Sequence, residues 1–433
     1  MALRVCGALL TCGLLALPLS AQTTTGHLRD RIGDLFTFGS CGRPLCLDGS
    51  VSAANGHGDH FLPDLIAGNS AVIGFLTDAI GINASNTPIS ATGGGVTFRF
   101  VGGLPVKTSE SAGPVFAERA QTLGRGRLVL GANLTGSSFR TIRGTPLDGL
   151  VLNFTHQDVG TPGLGDPFLE NDVLEIRLAL DVNLLVTTLF ATYGLTDDVD
   201  LGIAVPVVHT SLQGRSIAQV RLFGDTAVHF FTGTPADPGL IANAATFGSA
   251  TGIGDIALRL KANLRSDERF GVALMTDARL PTGDERDLLG SGRLSLRALA
   301  VFSSRFGDFR PHLNLGYVLR TGEGRPDALL ATVGFEQPLN PWTTIVTDLL
   351  TEWETGQGDL VLPGTVTFQF PFVRTYEPTN IRNMKDHRVS GSLGFKFRVS
   401  ESGPRLVTNA AVPLRAGGLL PAVMWTLGME FNF

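Results

Sequence analysis

Residues able to do chemistry fall into a few separated groups. Cys41 and Cys46 bracket CGRPLC, a spacing that closes a small loop if the two pair. In an oxidising compartment a disulfide is the default reading of such a pair. His57 and His60 in GHGDH would complete a two-Cys, two-His donor set for zinc. Their spacing matches no familiar zinc pattern, so a Cys41–Cys46 disulfide is expected and no metal. Asp166, Glu170 and Asp172 cluster in GLGDPFLEND and offer the oxygen ligands calcium takes. They lack the regular spacing of a calcium loop, and a solvated acidic loop is the expectation. Gly93, Gly94 and Gly95 are not followed by the Lys-Ser/Thr that a phosphate loop needs. His156 and His312 are the histidines worth testing as catalytic bases, but no G-x-S-x-G elbow supplies a nucleophile. The expectation is no catalytic residue, no cofactor and no enzyme.

The largest group is of another kind: charged residues dealt out at every second position of apolar segments. Asp255, Arg259 and Lys261 share one face of DIALRLKANL, while Ile256, Leu258, Leu260, Ala262 and Leu264 share the other. In FRPHLNLGYVLR, Arg310, His312, Asn314 and Arg320 oppose Phe309, Leu313, Leu315, Tyr317 and Leu319. Asp277, Arg279, Arg293, Arg297, Asp348, Glu352, Arg388, Lys396, Arg398 and Glu430 stand in similar settings. A period of two is the mark of a strand with two unlike faces. Segments of this type fall near 125–137, 180–193, 199–211, 253–264, 270–280, 292–304, 309–320, 328–337, 342–353, 387–398, 405–414 and 421–433. They are longer than the usual globular strand of about 5 or 6 residues and match the about 9 to 11 tilted residues that cross a bilayer.

The turns between them alternate in length. Short ones lie near Asp197, Asp267, Gly307, Asn340 and Glu401; longer ones span 223–252, 281–292, 321–327, 355–386 and 416–420. That asymmetry, with an even strand number, is the pattern of an outer-membrane barrel. The expected fold is all-β: a transmembrane antiparallel up-and-down barrel of about twelve strands over 123–433. Stretches 138–179 and 361–374 could extend or add strands. A soluble sandwich or propeller also alternates. Strand length, charges of both signs on the polar faces and the aromatic ending at Phe433 favour the membrane. With apolar faces toward lipid, the charges line the lumen, because an Arg or Lys facing lipid at mid-depth costs about 2–4 kcal/mol. They would either tune which solutes pass or pair into a network that fills the lumen.

Composition agrees. Of 433 residues 43% are hydrophobic and 17% charged, with 54 Gly and a net charge of -5. Soluble domains carry roughly 25% charged residues, and the acidic balance gives no footprint for nucleic acid. Residues 1–21 read as a cleaved secretory signal peptide, with Arg4 before the apolar run Val5 to Leu17. Residues 22–122 lack long alternation. A helix is expected within Phe61 to Ile80, with Leu65, Ile66, Val72, Ile73, Leu76 and Ile80 on one face, then a strand over Gly95 to Phe100. This segment is expected to be plug-like or periplasmic.

CGRPLC, GPVFAERAQTLGRGR (Gly113 to Arg127), FTHQ (Phe154 to Gln157), YGLTDDVDLGIAVP (Tyr193 to Pro206), GIGDIALRLK (Gly252 to Lys261), RLPTGDERDLLGSG (Arg279 to Gly292) and the WTLGMEF ending together resemble the outer-membrane meta-pathway of phenol degradation family. The resemblance spans nearly all of the mature chain. It implies a barrel of the hydrophobic-compound transporter kind and supplies no catalytic residues. The functional expectation is passive uptake of small, hydrophobic or aromatic compounds across the bacterial outer membrane. The alternatives are a structural or surface-binding barrel with a sealed lumen, and a lipid hydrolase. Expected partners are outer-membrane lipid, the barrel-assembly machinery through Phe433, and an unidentified small solute.

Overall fold

The computed structural model describes residues 26–38, 63–86, 98–101, 104–107, 117–155, 172–223, 229–234, 236–267, 269–322, 326–356, 360–369, 371–400 and 403–433. The signal-peptide reading and the readings on Cys41, Cys46, His57, His60, Gly93 to Gly95, His156, Asp166 and Glu170 lie outside these residues.

Two helices, α1 (Leu28–Asp34) and α2 (Pro63–Ser85), precede the sheet. No helix among the described residues is long and apolar enough to cross a membrane. The main strands are β1 (Leu128–Ile142), β2 (Leu150–Thr155), β3 (Val173–Gly194), β4 (Val199–Arg221), β5 (Ile241–Ile253), β6 (Ala257–Ser266), β7 (Phe270–Arg279), β8 (Ser295–Ser304), β9 (Arg310–Arg320), β10 (Ala328–Asn340), β11 (Thr343–Glu354), β12 (Arg388–Arg398), β13 (Arg405–Pro413) and β14 (Leu419–Asn432). All except β2 and β5 form a closed antiparallel ring of twelve, in which each strand pairs with its neighbours in sequence and β14 pairs with β1. At the seam Phe433 and Leu128 exchange backbone hydrogen bonds of 2.8 and 3.2 Å. Closure leaves the ring without the unpaired strand edge that hydrocarbon cannot solvate.

The twelve segments read from alternation are these twelve strands, with ends displaced by a few residues. The difference is in β3 and β4, which run for 22 and 23 residues. Their upper parts, beyond the ring, pair with β2 and β5, so a strand lies where a loop over 223–252 is expected. The reason is a reversal of polarity along each strand. Near the short turns Leu189, Leu201 and Ile203 point out and are exposed, while Thr188, Thr192 and Asp200 point in. Farther along, Arg177, Asp181, Gln213 and Arg215 point out, and Leu174, Ile176, Leu178, Leu180, Val182 and Leu212 are buried inside. The outer face thus changes from one that suits hydrocarbon to one that suits water. About twelve residues of each strand, roughly 40 Å at the usual rise, continue past that change.

The inside of this extension is the main apolar core, and the helices fill it. Leu35 of the α1 end packs over Gly214, and Ser216 Oγ donates to Leu35 O at 2.6 Å. From α2, Val72, Phe75, Leu76, Ala79 and Ile80 are buried. The 281–292 loop folds inward against them: Thr210 Oγ1, on the inner face of β4, donates to Leu288 O at 3.0 Å.

Candidate functional site

The lumen is the candidate site, and it has two zones. One zone, at the long-loop end, is the apolar chamber just described. The zone near the short turns is a lattice of buried charges crossed by the residues that lead into β1. Ala117, Glu118, Arg119 and Ala120 are at most 4% exposed. Glu118 N–H donates to Asn314 Oδ1 at 2.8 Å, and Asn314 Nδ2 returns a bond to Glu118 O at 3.0 Å. Ala120 N–H donates to Ser303 Oγ at 3.2 Å, and its carbonyl accepts from Asn263 Nδ2 at 2.7 Å. Leu123 N–H donates to Asp200 at 3.0 Å. The segment is therefore stitched to β4, β6, β8 and β9 through backbone groups.

Charge reinforces the stitching. Glu118 meets Arg259 at 2.8 Å and Lys261 at 3.5 Å. Arg119 pairs with Glu336 of β10. Lys261 also approaches Asp200 at 3.7 Å, and Arg259 reaches Asp277 at 3.2 Å. Strand register explains why these residues meet: Arg259 stands opposite Asp277 and Gly202, and Lys261 opposite Asp200. Lys261 and Lys396 are fully buried, a position a cation holds only when paired.

The sequence-read lining residues occupy several places. Arg259, Lys261, Asp277, Arg310, His312, Asp348 and Lys396 belong to the inner wall of the charged zone. His312 Nε2 bonds Asp348 Oδ1 at 2.7 Å, and Lys396 bonds Glu430 at 3.2 Å. Arg310 stands opposite Glu336, and Arg297 opposite Asp277. Arg320 and Glu352 pair at 2.7 Å toward the long-loop end, with Arg388 opposite Glu352. Arg279 reaches from the wall to the carbonyl of Ser85, holding the end of α2. Arg293 meets Asp78 of α2 at 3.5 Å. Asp255 serves the loop instead: it accepts from Gly283 N and Ser291 N at 3.0 and 2.8 Å, pinning the 281–292 segment. On the β11–β13 wall, Asp348 Oδ2, Ser392 Oγ and both amide atoms of Asn409 have no hydrogen-bond partner among the described residues, so this stretch presents polar groups to the lumen.

Glu118, Arg119, Asp200 and Glu336 complete the lattice: Asp200 and Glu336 stand at inward positions of the segments 199–211 and 328–337, whereas Glu118 and Arg119 escape a reading based on alternation. Glu118 and Arg119 lie before the first strand, where no period exists to give them a face. Their signal is the adjacent opposite charges in AERAQTL.

Outside the lattice, burial pushes the Asp78 carboxyl above its ordinary value, against the pull of Arg29 at 3.4 Å and Arg293. Burial pulls the His387 imidazole down, and the nearby charges of Arg415 and Lys385 add to that. Its Nδ1 accepts from Glu354 N–H at 3.2 Å.

The profile of the family described as "Putative MetA-pathway of phenol degradation" matches residues 171–364, so the family resemblance holds over that stretch. No curated protein matches the chain. Among solved structures, the COG4313 outer membrane channel from Pseudomonas putida F1 is 13% identical, with a TM-score of 0.42 over 72% of this chain and 98% of that one. A FadL homologue from Pseudomonas aeruginosa is 13% identical, with a TM-score of 0.32 over 80% and 97%. The CymD monoaromatic hydrocarbon channel is 10% identical, with a TM-score of 0.33 over 72% and 89%. A closed barrel with an apolar outer belt fits the outer membrane.

Proposed function

We propose that this chain is an outer-membrane barrel for passive uptake of small apolar compounds, aromatic ones included, with its N-terminal segment as the plug. The observation that carries this reading is the inner wall of β3 and β4. A water-filled pore needs a polar lining, whereas here Leu174, Ile176, Leu178, Leu180, Val182 and Leu212 face inward at the outer mouth. Burial of apolar surface is favourable by roughly 25 cal/mol per Å², so such a chamber selects apolar solutes over hydrated ions. The charged zone below sets the opposite condition: a solute passes only when the 117–123 segment gives way. The charges there act as the fastening of the plug and as a polar exit.

A signal peptide over 1–21 would deliver the chain to the envelope, and Phe433 would present the aromatic end to the assembly machinery. Uptake of a labelled monoaromatic compound by cells tests the reading. Cells making the protein should take it up faster than cells with an empty vector. Replacing Val72 and Leu76 of α2 by Asp should change that rate while the folded barrel persists in the outer membrane. Uptake equal to the vector control would overturn transport in favour of a sealed structural barrel.

A further inference from the structure

On the outer rim at the long-loop end, an exposed tryptophan and three exposed cations share one stretch of wall. Trp353, near the end of β11, has the parity opposite to the inward Glu352 and Glu354 and is 43% exposed. The Arg415 guanidinium lies 5.4 Å from its ring centre, and the His387 ring lies 5.0 Å from it on another side. Arg382 and Lys385 stand in the segment before β12, and Arg382, Lys385 and Arg415 are all exposed. Arg382 reaches the Gly144–Ala416 junction, within 3.4 Å of where a Cβ on Gly144 would stand. That joins the ends of β1 and β13 to the same patch.

Asp386, the acid next to Lys385, is engaged inward. Asp386 is buried and accepts from Arg143 at 2.8 and 2.9 Å and from Gly418 N at 2.7 Å. Glu354 is buried on the inner side. Arg382, Lys385 and Arg415 thus place three exposed positive charges on this rim. Tryptophan at a strand end marks the level of the membrane–water interface. The cations thus stand where headgroups begin, on the side that faces lipid rather than the pore.

We propose that Arg382, Lys385 and Arg415, anchored on Trp353, form a binding site for phosphate-bearing headgroups of the outer leaflet. Arginine recognises phosphate with a rigid fork of donors, and lysine adds a mobile charge. The Arg415 guanidinium lies over the indole, which orders it before the lipid arrives. The three cations are spread along a rim instead of converging on a pocket, which suits a lipid with several anionic groups better than a free ion. The site rests on the outer-membrane placement but needs no transport.

Native mass spectrometry of the detergent-solubilised barrel with bisphosphorylated lipid A tests it. The wild type should retain the lipid. The variant Arg382→Gln, Lys385→Gln, Arg415→Gln should bind roughly a hundred-fold more weakly, at about five-fold per cation near an anionic surface. Arg265→Gln with Arg269→Gln, at the short-turn end, should leave binding unchanged. Heat-modifiable gel mobility shows separately that each variant is a folded barrel, and Lys385→Gln alone gives a milder step if the triple variant does not fold. Equal retention by the wild type and the triple variant would overturn the site. So would equal binding of dephosphorylated lipid A, or displacement of the lipid by millimolar inorganic phosphate.

Discussion

Replacing Glu118 by Gln should loosen the plug without weakening the wall. The Glu118 carboxylate lies 2.8 Å from Arg259 and 3.5 Å from Lys261. Gln keeps the shape and one acceptor but removes the charge. Arg259 retains Asp277 at 3.2 Å, whereas Lys261 is left with Asp200 at 3.7 Å. Breaking a buried ion pair on one side costs about 3–5 kcal/mol. Because Arg259 stays partly paired, the lower end applies, about 3 kcal/mol, or roughly a hundred-fold in the docked-to-released ratio. The cost falls on docking, since the ring's hydrogen bonds do not involve Glu118. Ala120, fully buried in the docked segment, reports release when replaced by Cys in a background with Cys41 and Cys46 changed to Ser. Its maleimide labelling rate should rise by roughly the same hundred-fold if closing is fast compared with labelling. Adding Lys261→Met should return part of the rise, because the cation that Glu118→Gln leaves weakly paired is gone, while Asp200 keeps its bond from Leu123 N. An unchanged rate in Glu118→Gln, or an equal rise with and without Lys261→Met, would refute the fastening.

Leu315→Arg puts a cation in the middle of the outer face of β9, where Leu315 is 44% exposed; urea unfolding in lipid vesicles should register a loss of about 2–4 kcal/mol. Gly334→Ala forces a Cβ against Thr347 O and the His312–Asp348 pair, and the same unfolding assay should show a loss of about 1–3 kcal/mol from overpacking. The raised Asp78 carboxyl makes α2 dock best when protonated, so docking is fully favourable below the ordinary carboxylate range and weakens as pH rises through the elevated value. Protease protection of α2 should therefore increase on acidification from neutral pH, and Asp78→Asn should flatten that dependence; protection that falls with acid in the parent contradicts the assignment.

The ring was legible because lipid and lumen impose unlike demands on the two faces of each strand. Leu258 and Leu260 could only go outward once Arg259 and Lys261 had to pair within. The upper halves of β3 and β4 were harder to see, because there Arg177 and Arg215 take the outer face and Leu178 and Leu212 the inner. A reader who expects charge inside meets the opposite assignment at the same period. The helix α2 was visible from its apolar spacing, but its destination was not, since the chamber that receives it is made by strands that come much later in the chain. The fastening residues were invisible for a related reason: Glu118 and Arg119 gain their meaning from Arg259 and Lys261 of β6 and Glu336 of β10, far along the chain.

The seam between Leu128 and Phe433 has a kinetic consequence. It unites the two ends of the sheet, so the ring can close only after every intervening strand is in place, with the helices already gathered inside. Contacts so distant in sequence form late and slowly. Once formed, they leave no strand edge from which unfolding could fray. The lifetime of the folded chain is then set by how rarely β14 parts from β1, a rate rather than a balance of energies. Release of the 117–123 segment requires no such parting. The same molecule can thus be long-lived in its wall and quick in its plug.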